Sequence, residues 1–544
     1  MNGAELVAEI LRREGTEFLS CYPRNPLIEA CSKIDIRPIL CRQERVGVGL
    51  ADGFSRIRRG RQIGVFAAQQ GPGIENAFPG IAQAYTENVP LLVIPAGLPL
   101  SQQYKQPTFR AADVFAPVTK WSALAHDISE LPGLMRRAYQ LLRSGKSGPV
   151  LIEIPNSVFD QQFDGALDYV AQKPLKVAPD PAAVEEAVRM LLAADNPIVW
   201  AGAGIHYAEA WEALADFAEA LPVPVMTTNP GKSALAEIHP LALGASTRSR
   251  PRMVSEFMNR ADLVFAIGSS LTRSNFNPAM PSGKKIIHST NEMSDINKDF
   301  ASALGLPGDA KLVLEALSAE IGRQRQKSNT ERLDALKLEI AQIKDKWKSD
   351  WSDHLDSDEM PLNQYRVLRD LMATVDRDNT IVTHDSGSPR EQTLPFWETT
   401  VPGSYMGWGK STQLGYGLGI NMGAKLAAPD KLCINIMGDA AIGMTGMDIE
   451  TAARNGIGTL TVVFNNAVMA AERDVLVTST QKYGTLAVGG NYAKVAEGLG
   501  LASLRVDRPS DIIPAIKEAM AETSAGRPFL LEFVVKEGHD FSRD

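Results

Sequence analysis

MGDAAIGMTGMDIETAARNGIGTLTVVFNN, residues 437–466, decides how the rest of this chain is read. The apolar run 432–437 reads as a buried strand. Gly438-Asp439-Ala440 turns the chain, 447–454 has helical spacing, and 459–464 is a second strand. A strand–helix–strand unit of this kind places Asp439 and the pair Asn465-Asn466 at the carboxyl ends of neighbouring parallel strands, where open α/β sheets bind ligands. A carboxylate and an amide oxygen at that edge are hard oxygen ligands suited to Mg²⁺ or Ca²⁺. Gly438, Ala440 and Ala441 are small enough to let backbone N–H groups approach a diphosphate.

A lone Gly-Asp-Ala would read as an ordinary turn. With Asn466 following 27 positions after Asp439, behind a second strand, the segment resembles the diphosphate-binding motif of thiamine diphosphate (ThDP) enzymes, GDG…NN. Ala440 replaces the third Gly of that motif, as it does in the acetolactate synthase branch. The resemblance implies that Asp439, Asn466 and the Val468 carbonyl hold Mg²⁺, which in turn holds the ThDP diphosphate.

The remaining chain supports the same organisation. Its 544 residues are 44% apolar and 22% charged, with net charge −8. That balance offers no electrostatic footprint for nucleic acid or an anionic membrane. No apolar run approaches the length of a membrane span, and the N-terminal segment MNGAELVAEILRREG reads as an amphipathic helix rather than a targeting peptide. Cys21, Cys31, Cys41 and Cys433 lack metal-ligand spacing and read as buried thiols of a cytoplasmic protein.

Helices and near-continuous apolar strands alternate through residues 1–172, including LLVIPA and PVLIEIP, as in a parallel sheet covered on both faces. Residues 172–183 are Pro-rich and polar, a linker by composition. A second α/β unit spans 184–322, from PIVWAGAG to beyond KKIIHST. Residues 323–358 read as a charged connecting helix and 359–544 as a third α/β unit containing the opening motif. Gly202-Ala203-Gly204 is too short a match to argue for a dinucleotide loop. Three successive parallel-sheet α/β domains resemble the pyrimidine-binding, middle and diphosphate-binding domains of the acetolactate synthase superfamily.

The resemblance then implies roles for particular residues. Glu44, ahead of Ala51-Asp52-Gly53-Phe54-Ser55-Arg56, could simply complement a helix dipole. In ThDP enzymes a Glu at this place hydrogen-bonds the aminopyrimidine ring and activates the cofactor. Pro23, in Tyr22-Pro23-Arg24-Asn25-Pro26, and Gly71, in Gln70-Gly71-Pro72-Gly73, stand in loops that line the cofactor. Asn25 reads either as a substrate-facing amide or as part of a Pro-bracketed turn. Gly387 and Ser388 offer donors to the diphosphate. Thr412 supplies a carbonyl to the pyrimidine, and Leu414 is the apolar wedge beneath the cofactor.

Glu472 is acidic where acetolactate synthases tend to carry bulky apolar groups. It reads either as a catalytic acid–base group of the kind one 2-hydroxyacyl-CoA lyase branch carries, or as a solvated residue paired with Arg473. No adjacent His pair of the pyruvate decarboxylase type occurs. The expectation is a reversible C–C lyase cleaving a 2-hydroxyacyl-CoA to formyl-CoA and an aldehyde or ketone. The alternative is an acetolactate synthase-like carboligase that decarboxylates pyruvate; a non-catalytic regulatory homologue is more remote. Substrates would be small molecules: keto acid, aldehyde, ketone or acyl-CoA. The family's geometry implies a homodimer or homotetramer. FAD or ADP in the middle unit stays open, because Thr290 replaces an expected Asp while Lys232 matches a Lys that holds an ADP phosphate in oxalyl-CoA decarboxylase.

Overall fold

A computed structural model describes residues 1–274, 280–324 and 330–543. It contains three six-stranded sheets whose strand pairs are all parallel. The N-terminal sheet holds β1 (Phe18–Cys21), β2 (Arg37–Leu40), β3 (Gly64–Ala68), β4 (Leu91–Gly97), β5 (Trp121–Leu124) and β6 (Pro149–Pro155), in the order β2-β1-β3-β4-β6-β5. The middle sheet holds β7 (Pro197–Ala201), β8 (Val225–Thr228), β9 (Ala242–Ser246), β10 (Leu263–Ile267), β11 (Lys285–Ser289) and β12 (Leu304–Gly305). Its order is β12-β11-β10-β7-β8-β9. The C-terminal sheet holds β13 (Thr380–His384), β14 (Tyr405–Met406), β15 (Leu432–Gly438), β16 (Leu460–Asn465), β17 (Ala502–Val506) and β18 (Phe529–Val534), ordered β14-β13-β15-β16-β18-β17.

The central strands are buried along their whole length, β3, β4, β6, β7, β10 and β16 among them. Both faces are therefore covered by helices, which is why these strands read as unbroken apolar runs. The fold class and the three-domain order agree with the sequence reading. The strands β5, β9, β12, β14, β17 and β18 were not visible in it.

The opening stretch differs in one respect. Gly438-Asp439-Ala440 is not a free turn: Gly438 caps β15 and a helix, Asp439–Thr445, starts at once. A second short helix, Ile449–Asn455, follows and ends on Gly456 at φ 65°. The connecting segment is also less solvated than its charge suggests. Helix Thr330–Asp350 buries Ile340 and Trp347, and Trp347 stacks on Phe396 of the C-terminal domain at 4.8 Å.

The domains meet most closely where helix Glu44–Ile57 crosses helix Tyr416–Ala427. Glycines make that approach possible. A Cβ added at Gly53 would lie 2.1 Å from the Ile420 carbonyl oxygen, and one at Gly423 2.0 Å from the Leu50 carbonyl oxygen. Asp52 and Arg56 of the first helix form a buried ion pair at 2.5 Å, and the Tyr416 hydroxyl donates to Asp52 at 3.1 Å. Arg56 also donates to the Gly407 carbonyl at 3.1 Å. The Ala51–Arg56 segment thus ties the first domain to the third.

Candidate active site

A cavity of about 690 Å³ opens at the carboxyl edge of the C-terminal sheet. Gly387, Ser388, Thr412, Leu414, Gly438, Asp439, Ala440, Ala441, Asn466, Val468 and Glu472 all line it. These residues come from four separate stretches of chain, and parallel-sheet topology delivers each of them to the same edge. Every C-terminal-domain position expected from the sequence is therefore brought together.

Asp439 is 3% exposed and sits where β15 becomes a helix. Its Oδ1 accepts from the Ala440 N–H and its Oδ2 from the Ala467 N–H, each at 2.7 Å. The second bond crosses from the β15 loop to the β16 loop and fixes their separation. Ala467 adopts φ 58°, a left-handed conformation that curls the chain so that Asn466 Oδ1 accepts from the Val468 N–H at 3.1 Å. Burial raises the Asp439 carboxyl above its usual range, partly offset by these backbone N–H groups. A bound divalent cation would reverse that direction by stabilising the carboxylate.

The residues fit a diphosphate–metal group. Among the described residues no cluster of three or more His, Cys, Asp or Glu side chains forms, so a cation here would rely on one carboxylate, one amide and a backbone carbonyl. Such a set leaves coordination positions for a ligand's own oxygens, the habit of Mg²⁺. The Ser386 hydroxyl, on the same wall, is buried and has no hydrogen-bond partner among the described residues. Gly387, at φ 88°, caps helix Ser388–Phe396, whose first N–H groups belong to the cavity rim. An anionic oxygen there would meet both the hydroxyl and the helix terminus.

Asp385 has no role in the sequence reading, and the structure supplies one. Its Oδ1 accepts from Ser386 N–H and Gly415 N–H, both at 2.8 Å, and its Oδ2 from Gly417 N–H at 3.0 Å. It is fully buried, and burial pushes its carboxyl up to about 6 against those three donors. Asp385 thereby holds the start of helix Tyr416–Ala427, and with it Leu414, against the loop after β13. The signal that could have found it is an acidic residue directly after an apolar strand.

The N-terminal positions lie elsewhere. Among the described residues, the cavity lining includes none of Pro23, Glu44 and Gly71. They share the carboxyl edge of their own sheet, in the loops after β1, β2 and β3. Glu44, 3% exposed, opens helix Glu44–Ile57, and burial raises its carboxyl above the ordinary range. A carboxylic acid kept protonated to higher pH is what proton sharing with a weakly basic ring nitrogen requires. Gly71 caps helix Pro72–Thr86 at φ 63°, and Pro23 is exposed.

Three expectations are corrected. Asn25 is not substrate-facing: its amide donates to the Ala68 and Ile94 carbonyls at 3.0 and 2.9 Å and accepts from the Leu27 N–H, pinning the loop to β3 and β4. Lys232 does not present itself to a phosphate. It is wholly buried, with Nζ bonded to both Glu237 oxygens at 2.5 and 2.6 Å and 5.2 Å above the Tyr405 ring. Glu472 is exposed at the cavity rim, and Arg473 pairs with Glu537 instead of with it. All four cysteines are buried free thiols.

A second cavity, about 660 Å³, opens beside the middle sheet and is lined by Thr228, Ser269, Ser270, Arg273 and, from the other domains, Glu87 and Lys410. Gly202 and Gly204, just after β7, are packing glycines. A Cβ on Gly202 would lie 2.4 Å from the Gly268 carbonyl oxygen. No helix of the described residues is long and apolar enough to cross a membrane.

Comparison with known proteins bears on all three domains. Residues 1–116 match the family model for the thiamine pyrophosphate enzyme N-terminal TPP binding domain, 184–317 that for the central domain, and 385–533 that for the C-terminal TPP binding domain. The chain is 27% identical to a probable acetolactate synthase large subunit of Methanococcus aeolicus, covering 98% of this chain and 92% of the relative. It is 26% identical to the acetolactate synthase large subunit of Haemophilus influenzae (96% and 92%) and 27% identical to glyoxylate carboligase of Escherichia coli O157:H7 (98% and 93%).

Proposed function

As a member of the thiamine diphosphate-dependent enzymes of the acetolactate synthase superfamily, this chain is, we propose, a carboligase that takes CO₂ from one 2-keto acid, pyruvate first among them, and joins the remaining acyl unit to a second carbonyl. The observation that carries this reading is end-to-end similarity to relatives named for acetolactate synthesis and glyoxylate ligation, on a chain that keeps the Asp439–Asn466 cavity. The 2-hydroxyacyl-CoA lyase expectation loses its support here. The relatives named above are acetolactate synthases and a glyoxylate carboligase, and none of them is named for cleaving a CoA thioester.

When bound, ThDP supplies the nucleophilic carbon and electron sink for breaking and making the C–C bond. Asp439, Asn466 and the Val468 carbonyl would hold Mg²⁺, while Ser386 and the first N–H groups of helix Ser388–Phe396 would take diphosphate oxygens. Thr412 and Leu414 would hold the cofactor's middle. Glu44, its carboxyl raised by burial, would share a proton with the pyrimidine ring.

Because Glu44, Pro23 and Gly71 lie outside the cavity of their own chain, the reading requires at least a homodimer, in which the N-terminal edge of one copy closes the cavity of another. The middle-domain cavity has the volume of a small-molecule site and would be the position for FAD or ADP, which the sequence leaves open. An absorbance spectrum of the purified protein tests for the flavin. Buried free thiols suit a reducing, cytoplasmic setting.

The deciding experiment incubates the protein with ThDP, Mg²⁺ and either pyruvate, pyruvate plus a second keto acid or aldehyde, or a 2-hydroxyacyl-CoA. Products are identified by mass spectrometry. Acetolactate or a mixed 2-hydroxyketone is the expected product. Formyl-CoA from the thioester, with no product from keto acids, would contradict the proposal.

A further inference from the structure

Glu87 belongs to none of the motifs above, yet it stands where all three domains meet. It follows helix Pro72–Thr86 of the N-terminal domain and is 3% exposed. Its Oε1 accepts from two successive backbone N–H groups of the C-terminal domain, Gly409 at 2.9 Å and Lys410 at 2.6 Å. Gly409 and Lys410 lead directly into Thr412 and Leu414, which line the cofactor cavity. The Lys410 ammonium continues into the middle domain and donates to Ser270 Oγ at 2.9 Å.

The same segment has other anchors along the same helix. Gln413 donates to the Pro79 carbonyl and the Tyr416 hydroxyl to the Gly80 carbonyl at 3.3 Å. On its middle-domain side, Asn229 donates to the Trp408 carbonyl at 2.6 Å. Glu87 differs from these in chemistry. It is ionisable, almost wholly buried, and accepts two backbone donors with a single oxygen, which the Gln83 side-chain amide also reaches at 3.5 Å. Its other oxygen, Oε2, is buried and has no hydrogen-bond partner among the described residues, although Glu87 also lines the middle-domain cavity. A neutral amide could accept from the same two N–H groups without burying a charge that is only half satisfied. Keeping a carboxylate there argues that a stiff, charge-assisted grip on this segment matters.

We propose that Glu87 is a positioning residue for the cofactor, fixing from the N-terminal domain the backbone that sets Thr412 and Leu414 against ThDP. The inference rests on ThDP occupying the C-terminal cavity, and it predicts an effect on cofactor affinity rather than on folding alone. Two consecutive N–H groups held by one oxygen define the direction in which the chain enters residues 411–414. Without that acceptor the segment keeps its flanking anchors but can pivot between them, so the cost falls on ThDP binding.

The test measures ThDP binding by calorimetry on the full-length protein with Mg²⁺, for the unaltered chain, Glu87→Ala and Glu87→Gln, beside thermal melting of each. Glu87→Ala should weaken ThDP binding by about tenfold or more, the scale of one charge-assisted hydrogen bond. Glu87→Gln should recover only part of that loss, because it restores an acceptor without the charge. A purely structural residue would lower the melting temperature of the Ala variant while the folded fraction bound ThDP with unchanged affinity, and that result would overturn the proposal. Glu87→Asp, which withdraws the oxygens by one methylene, carries the same test if the Ala variant does not fold, and unchanged affinity in it would count equally against the idea. Failure of the unaltered chain to bind ThDP would overturn both this inference and the cofactor reading beneath it.

Discussion

The first and third domains share one strand order, and the middle domain has another. Counting strands within each domain, the first and third run 2-1-3-4-6-5, whereas the middle runs 6-5-4-1-2-3. In both outer domains a long helix follows the second strand, Glu44–Ile57 in one and Tyr416–Ala427 in the other, and these equivalent helices pack on each other through glycines. What differs is the carboxyl edge. The C-terminal domain places a carboxylate, an amide, an unsatisfied hydroxyl and a helix N-terminus there, a set for a cation and phosphate oxygens. The N-terminal domain places Glu44, Pro23 and Gly71 there, a buried acid beside a proline and a glycine, with Arg24 and Arg45 next to them in the chain. Identical topology thus provides two edges that differ in residue type, and under the proposed function they take the two ends of the cofactor.

The sharpest way to break that contrast is to remove the carboxylate from the C-terminal edge. Asp439→Ala should abolish measurable binding of ThDP at millimolar Mg²⁺, because it removes both the cation ligand and the bond from Oδ2 to Ala467 that spaces the two loops. Calorimetry that finds near-native affinity would separate the metal from this residue. At the other edge, Glu44→Gln should leave ThDP binding nearly intact while lowering turnover by about 10²-fold or more, the scale of one acid–base group. A variant that loses binding instead would make Glu44 a holding residue and dissolve the division between the edges.

The helix pair between the domains gives a smaller effect of a different kind. Gly423→Ala drives a Cβ to within 2.0 Å of the Leu50 carbonyl oxygen, so the helices must separate. Overpacking of this sort should cost about 1–3 kcal/mol in chemical denaturation. An unaltered denaturation midpoint would show that the close approach is not maintained in solution. The smallest effect belongs to Glu472. As an exposed rim carboxylate, its replacement by Gln should change keto acid turnover by less than about threefold, well under the usual contribution of an acid–base group. A hundredfold loss would restore it as a catalytic acid and reopen the lyase chemistry.

The sequence disclosed what depends on periodicity and on contiguous motifs. The buried strands β3, β4, β6, β15 and β16 were readable because apolar runs survive only where both sheet faces are covered. Asp439 and Asn466 were readable because their spacing reports a strand–helix–strand unit. What it concealed depends on partners far away in the chain. Asn25 is structural only because Ala68 and Ile94 bring their carbonyls to it, and Lys232 is buried because Glu237, Thr399 and Tyr405 close around it. Glu87 acts on backbone N–H groups hundreds of residues away, which leaves no local pattern to detect, and Asp385 shows in the sequence only as an acidic residue directly after an apolar strand, with nothing to name its distant partners. The helix Asp439–Thr445 was missed because Gly443 within it and Gly446 after it argue against a helix by propensity, and tertiary packing overrides them.

Whether the two edges meet across copies of the chain is tested directly by a mixing experiment. Glu44→Gln and Asp439→Ala proteins, each inactive alone, are dissociated, combined in equal amounts and reassembled with ThDP, Mg²⁺ and pyruvate. In a mixed dimer one site joins the intact Glu44 of one copy to the intact Asp439 of the other. Random reassortment makes about half of the dimers mixed, so acetolactate formation should return to about a quarter of the unaltered level. Activity that stays at the background of the separate variants, with mixed dimers demonstrated by mass, would contradict the shared site.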